Sequence, residues 1–90
     1  MREIVQSNRF KRDWKRVQKR GVQDSKFAEI VKLIAQDIDL PARCRPHKLL
    51  GQWAGYWECH IEPDWLLVYD LEDPEMLTLV ATGTHADLFK

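Results

Sequence analysis

Residues 60–71, HIEPDWLLVYDL, place His60, Glu62 and Asp64 at the mouth of an apolar run. Trp, Leu, Leu, Val and Tyr in succession, bounded by Pro63 before and LEDPE after, read as a strand buried in a sheet. Pro63 excludes a helix that would carry His60 and Asp64 on one face. EPDW instead fits a turn with proline at its second position. The stretch is therefore half of a hairpin: YWECHI (56–61) enters, WLLVYDL (65–71) leaves, and His60 and Asp64 flank the turn. Ionisable groups at strand ends can converge at the surface without lying deep in the core.

The remaining chain falls into place around that hairpin. MLTLVATG (76–83) is the next strand, and THADLF (84–89) closes as a short turn or helix. Upstream, residues 41–55 carry Pro41, Pro46, Gly51 and Gly55 and read as loop. QDSKFAEIVKLIAQDIDL (23–40) spaces Phe27, Ile30, Val31, Ile34 and Ile38 as one helical face, stopped by Pro41. RFKRDWKRVQKRG (9–21) does the same with Phe10, Trp14 and Val17. Ser7 or Asn8 caps it and Gly21 ends it. REIVQS (2–7) is a first strand. The order is βααβββ, an α+β domain over residues 1–90 with two N-terminal helices packed on a mainly antiparallel sheet.

Ninety residues suffice for one modest core. No apolar run approaches the roughly 20 residues of a membrane span, and MREIVQSNRF has no signal-peptide core. A cytoplasmic, membrane-free protein is expected, with Cys44 and Cys59 as reduced thiols. Cys44, His47, Cys59 and His60 are a nominal zinc set. Yet Cys59 and His60 are strand neighbours that point to opposite faces, and no CxxC is present. No metal or cofactor is expected. The net charge of zero conceals an asymmetry: residues 1–48 hold thirteen Lys/Arg against six Asp/Glu, and residues 49–90 one against eight. A basic half suggests a polyanionic partner.

His47, His60 and His85 all fall at element ends, with Asp64 nearby. Two imidazoles can act as general base and general acid near neutrality, their unperturbed pKa being about 6.5. Arg43, Arg45 and Lys48 flank His47 and are candidates to steady a charged phosphate. Trp53, Tyr56, Trp57, Trp65 and Phe89 suit a core, or in part a stacking surface for bases. Lys11, Lys15 and Lys19 form one i,i+4 ladder, and Arg12, Arg16 and Arg20 another. Such like-charge ladders are unfavourable unless solvated or matched by phosphates or an acidic partner. Nothing resembles a phosphate-cradling glycine loop, HExxH, a dinucleotide fingerprint or Ser-His-Asp spacing, so an ATPase, protease or dehydrogenase has no support.

From His47 onward the chain resembles the YafQ-type toxins of the RelE/ParE superfamily. The shared frame is HKLLGQWAGYWECHIEPDWLLVYDL followed by TGTHADLF, about half the chain. The resemblance implies the βααβββ fold and a toxin of a type II toxin-antitoxin system. It implies a ribosome-dependent endoribonuclease that cuts mRNA in the A site by 2′-OH attack, without a metal. The partners would be a cognate antitoxin and the 70S ribosome with its mRNA, and the toxin alone would be a monomer. Carried over by position, catalysis falls to His47, His60, Asp64 and His85. Trp65 and Phe89 fall to RNA placement or site support. The chain departs from the pattern in being neutral where such toxins are commonly basic. A ParE-like toxin that acts by binding a protein target is the alternative, but it has no need of three histidines at strand ends.

Overall fold

Strand β5 (Met76–Gly83) is the spine of a five-stranded sheet. On one side it pairs antiparallel with β4 (Trp65–Asp70), and on the other it runs parallel to β1 (Glu3–Gln6). β4 continues to β3 (Trp57–Glu62), and β3 to the short edge strand β2 (His47–Lys48). Helices α1 (Asn8–Lys19) and α2 (Asp24–Ala35) cover one face, and α3 (His85–Leu88) follows β5. A computed structural model describes residues 1–89 of the chain.

The unbroken apolar run of β4 follows from burial on both faces. Leu67 and Tyr69 join Phe10, Val17, Ile30, Ile34, Leu77 and Leu79 beneath the helices. Leu66 and Val68 face the other way, into a smaller cluster with Ala81 and Leu88, walled by Leu49, Trp53 and Tyr56. Alternate residues of one strand thus supply two cores, which leaves no position for a charged side chain before Asp70 at its end.

β1 pairs with β5 only as far as Leu79, and α1 covers the rest of that edge. The Ser7 N–H donates to the Leu79 carbonyl (3.0 Å), and its hydroxyl donates to the Val80 carbonyl (2.8 Å) while accepting the Phe10 N–H as the helix cap. One turn on, the buried Asp13 carboxylate accepts the Thr82 N–H (3.2 Å), where a longer β1 would have supplied a carbonyl. Arg9 and Arg16 balance Asp13 from either side.

The expected α+β arrangement holds, with two corrections. Residues 41–55 are not all loop, since His47 and Lys48 pair with Glu58 and Trp57 to make a fifth strand. The second helix ends at Ala35 rather than running to Pro41. Asp37 adopts a left-handed conformation (φ 56°) that leads the chain away, and Ile38 is half exposed instead of extending the apolar face. Arg2 holds Asp37 in place by an ion pair at 2.9 Å.

Leu67 is fully buried and Leu50 is exposed. Leu67→Ala is expected to lower stability by about 2–5 kcal/mol, and Leu50→Ala to change it by less than about 0.5 kcal/mol. Urea unfolding of the two variants beside the parent checks this order.

Candidate active site

On the sheet face away from α1 and α2, four elements bring their polar ends together. Glu58 and His60 are two residues apart on β3 and so share that face. β2 lays His47 directly across from Glu58. The Pro63–Asp64 turn and the start of α3 add Asp64 and His85. The His60 and His85 rings lie 5.6 Å apart, centroid to centroid.

Each histidine has its Nδ1 committed to an oxygen that can only accept. His47 Nδ1 donates to the Arg45 carbonyl (2.8 Å), His60 Nδ1 to the Pro63 carbonyl (3.3 Å) and His85 Nδ1 to Asp64 Oδ1 (2.7 Å). All three rings are thereby held with Nε2 as the nitrogen that can exchange a proton. Arg45 pays for its contact in backbone strain, sitting in the left-handed region (φ 48°) so that its carbonyl turns back to His47.

Two carboxylates divide these rings into two units. Glu58, only 5% exposed, directs Oε1 at both His47 Nε2 (3.4 Å) and His60 Nε2 (3.8 Å). Both Nε2 atoms therefore face the same buried carboxyl oxygen. Asp64 Oδ1 accepts both the His85 N–H (3.0 Å) and its ring Nδ1–H. The backbone N–H first, and then the ring N–H, hold the Asp64 carboxyl below the usual carboxylate range. One unit is thus His47–Glu58–His60, and the other is Asp64–His85.

A cleft of about 420 Å³ opens beside His60, lined by Lys26, Arg43, Arg45, Ile61, Glu62 and Pro63. Lys26 is tied to Glu62 across it at 2.8 Å.

Not every expected residue reaches this face. Trp65 is 4% exposed and stacks with Trp14 and Phe27 under the helices, so it is no platform for a base. Its indole N–H donates to Thr82 (3.0 Å), which in turn donates to the Leu66 carbonyl, and so it supports the strands that carry the site. Lys48 lies over the Trp57 ring on the helix side, because strand alternation turns it away from His47. Phe89 is partly exposed and meets Trp53 edge to face. Arg16 on α1 pairs with Asp13, and Arg20, the residue that caps α1, pairs with Asp87. Lys11, Arg12, Lys15 and Lys19 are exposed and, among the described residues, unpaired. Cys44 and Cys59 are buried, and desolvation raises both thiols away from the thiolate form a metal would need.

A profile of the bacterial YafQ toxins of type II toxin-antitoxin systems matches residues 2–90. The chain belongs to that family. It is 40% identical over 89 residues to the mRNA interferase toxin YafQ of Escherichia coli K12, covering 98% of this chain and 96% of the relative. It superposes on a chain of the E. coli DinJ–YafQ toxin-antitoxin complex with a TM-score of 0.88 at 40% identity, covering 99% of this chain and 98% of that one. It also superposes on a metal-bound toxin from Helicobacter pylori with a TM-score of 0.91 at 34% identity, covering 99% and 100%. In the present YafQ-family chain, no three or more His, Cys, Asp or Glu side chains among the described residues are arranged to hold a metal ion.

Glu58 is the site residue that sequence reasoning passed over. Strand alternation was the available signal, since it sets Glu58 on the same face as His60.

Because the folded pKa of Asp64 lies below its unfolded value, the His85 contact adds stability above the unfolded value. That contribution is lost as pH falls through the folded value. Carbon-13 NMR titration should find the Asp64 carboxyl midpoint below the ordinary value of about 3.9. In His85→Ala the ring contact is lost and the midpoint should rise toward that value. A parent midpoint at or above it would contradict the double hydrogen bond.

Proposed function

We propose that this family member is an mRNA interferase: a ribosome-dependent endoribonuclease that cleaves mRNA in the A site and is neutralised by a cognate antitoxin. The observation that carries the reading is the cluster of three imidazoles with fixed Nδ1 beside two carboxylates: Asp64 holds Nδ1 of His85 and leaves its Nε2 open, and Glu58 lies beside Nε2 of His47 and His60. Cleavage by a 2′-hydroxyl needs one group to take the proton from that hydroxyl. It needs a second to protonate the departing 5′ oxygen as the 2′ oxygen bonds to phosphorus and the P–O5′ bond breaks. His60 and His85 are close enough to serve one phosphate from two sides. Asp64 stabilises the imidazolium when His85 holds the extra proton, and Glu58 does the same for His47 and His60. The products are a 2′,3′-cyclic phosphate, or the 3′-phosphate from it, and a 5′-hydroxyl.

This chemistry requires no divalent ion, and we propose that the reaction is metal-independent. With Lys26 paired to Glu62, Arg43 and Arg45 leave the cleft beside His60 cationic and suited to the phosphates that flank the cut. The free lysines and Arg12 on α1 suit either ribosomal RNA or an acidic antitoxin segment. The toxin is expected to be a monomer when unbound and to act in the cytoplasm.

The test uses programmed ribosomes carrying mRNA with a single 2′-deoxynucleotide just upstream of the scissile phosphate. Cleavage should stop, while all-RNA message yields a 5′-hydroxyl end. Normal cutting of the deoxy message, or a 5′-phosphate, would make water the nucleophile and remove the roles given to the histidines. On all-RNA message, His60→Ala and His85→Ala should each slow cleavage by about 10²–10⁴-fold without loss of fold. A message with sulfur in place of the leaving 5′ oxygen needs no acid. It should restore the variant that lacks the acid and leave the other slow.

A further inference from the structure

We propose that Arg20 and Asp87 form a latch that positions His85, and that Arg20 is thereby a positioning residue for the cleavage reaction on whose reading this rests. Helix α3 is a single turn of four residues, too short to hold its shape by its own hydrogen bonds. His85 is its first residue, so the ring can be no better placed than the turn beneath it.

Three tethers fix that turn. Leu88 is buried in the small core at the far end. Asp64 grips His85 itself. The third comes from the end of α1: Arg20 Nη1 donates to Asp87 Oδ2 (2.7 Å) and Nη2 to Oδ1 (3.3 Å), a two-pronged ion pair across 67 residues of sequence. The same Oδ2 accepts the Thr84 N–H (2.9 Å), and Thr84 Oγ1 accepts the Asp87 N–H (3.1 Å), closing a capping box around His85.

Gly83 is built for this arrangement. Its φ is +152°, and a Cβ there would lie 2.7 Å from Asp87 Oδ2 and 2.9 Å from Asp87 Cβ. Any side chain at 83 would push the carboxylate off the latch. Asp87 is held well below the usual carboxylate range, first by the Arg20 side chain and then by the Thr84 N–H, so the latch is ionised throughout the working pH range. Arg20 is therefore not simply another cation of the α1 ladder.

Arg20→Gln removes the guanidinium, and Asp87→Asn keeps an acceptor for the Thr84 N–H while removing the charge. Gly83→Ala leaves both charges but displaces Asp87. On the labelled protein alone, NMR should show that each variant shifts the His85 amide and Nδ1–H resonances and speeds exchange of that amide. On programmed ribosomes, each should slow single-turnover cleavage by about 10- to 100-fold, with the half-saturating toxin concentration unchanged within about twofold. The Arg20→Gln/Asp87→Asn double variant should be little worse than either single one. Arg20→Lys, which keeps one ion pair, should recover part of the rate. Unaltered His85 resonances would overturn the latch, whatever the activity. So would an Arg20→Gln variant that loses affinity at full rate beside a silent Asp87→Asn, because Arg20 would then be contacting ribosome or RNA. A parent protein that cuts no RNA would refute the proposed activity, while the NMR comparison would still decide the latch.

Discussion

Strand β5 is longer than its parallel neighbour, and the uncovered backbone at its end must be satisfied. A buried N–H without a partner costs about 1–3 kcal/mol, so the edge from Val80 to Gly83 cannot be left bare. The chain meets this constraint with a helix in place of a strand. Ser7 caps α1 and bonds the β5 edge at once, and Asp13 reaches in to take the Thr82 N–H. Once α1 lies along that edge, its C-terminal end must arrive beside α3, and Arg20 meets Asp87 there. The position of His85 at the end of β5 is thus linked through backbone accounting to the start of the chain.

The same view explains the neutral net charge. Several acids of the second half are already engaged by partners within the chain: buried Glu58 with two histidines, Asp87 with Arg20, and, at the surface, Asp64 with His85. The cations that face outward, in the cleft beside His60 and along α1, come from the basic first half. A chain with no net charge can therefore still present a cationic surface to a polyanion, because its carboxylates are not all on that surface.

Periodicity exposed most of the architecture. WLLVYDL read as a buried strand, EPDW as a tight turn, and the two helices as apolar faces, because each is a local pattern. β2 was not legible: two exposed residues among prolines and glycines carry no alternation, and only pairing with β3 makes them a strand. The end of α2 was misplaced because Ile38 keeps the helical spacing while Asp37 turns the backbone away. At the site, the three histidines and Asp64 stood out by chemical type and by their place at element ends. Glu58 did not, since an acid in a strand looks solvent-facing until a neighbouring strand covers it. Lys48 stood next to His47 in sequence, and strand alternation puts it on the other face; Trp65, placed by the family resemblance, also lies on the helix side and supports the site's strands through Thr82.

The proposed ribosome-dependent ribonuclease activity depends on the three imidazoles and on the carboxylates of Glu58 and Asp64 beside them. The most direct measurement is mapping of new mRNA 5′ ends in a reconstituted translation reaction, with the parent and with Glu58→Gln, at confirmed equal folding. Expected are 5′-hydroxyl ends within the codon occupying the A site, absent when ribosomes are omitted, and a sharply reduced yield with Glu58→Gln. Translation arrest without cleaved message, or equal cleavage by Glu58→Gln and parent, would contradict the proposal.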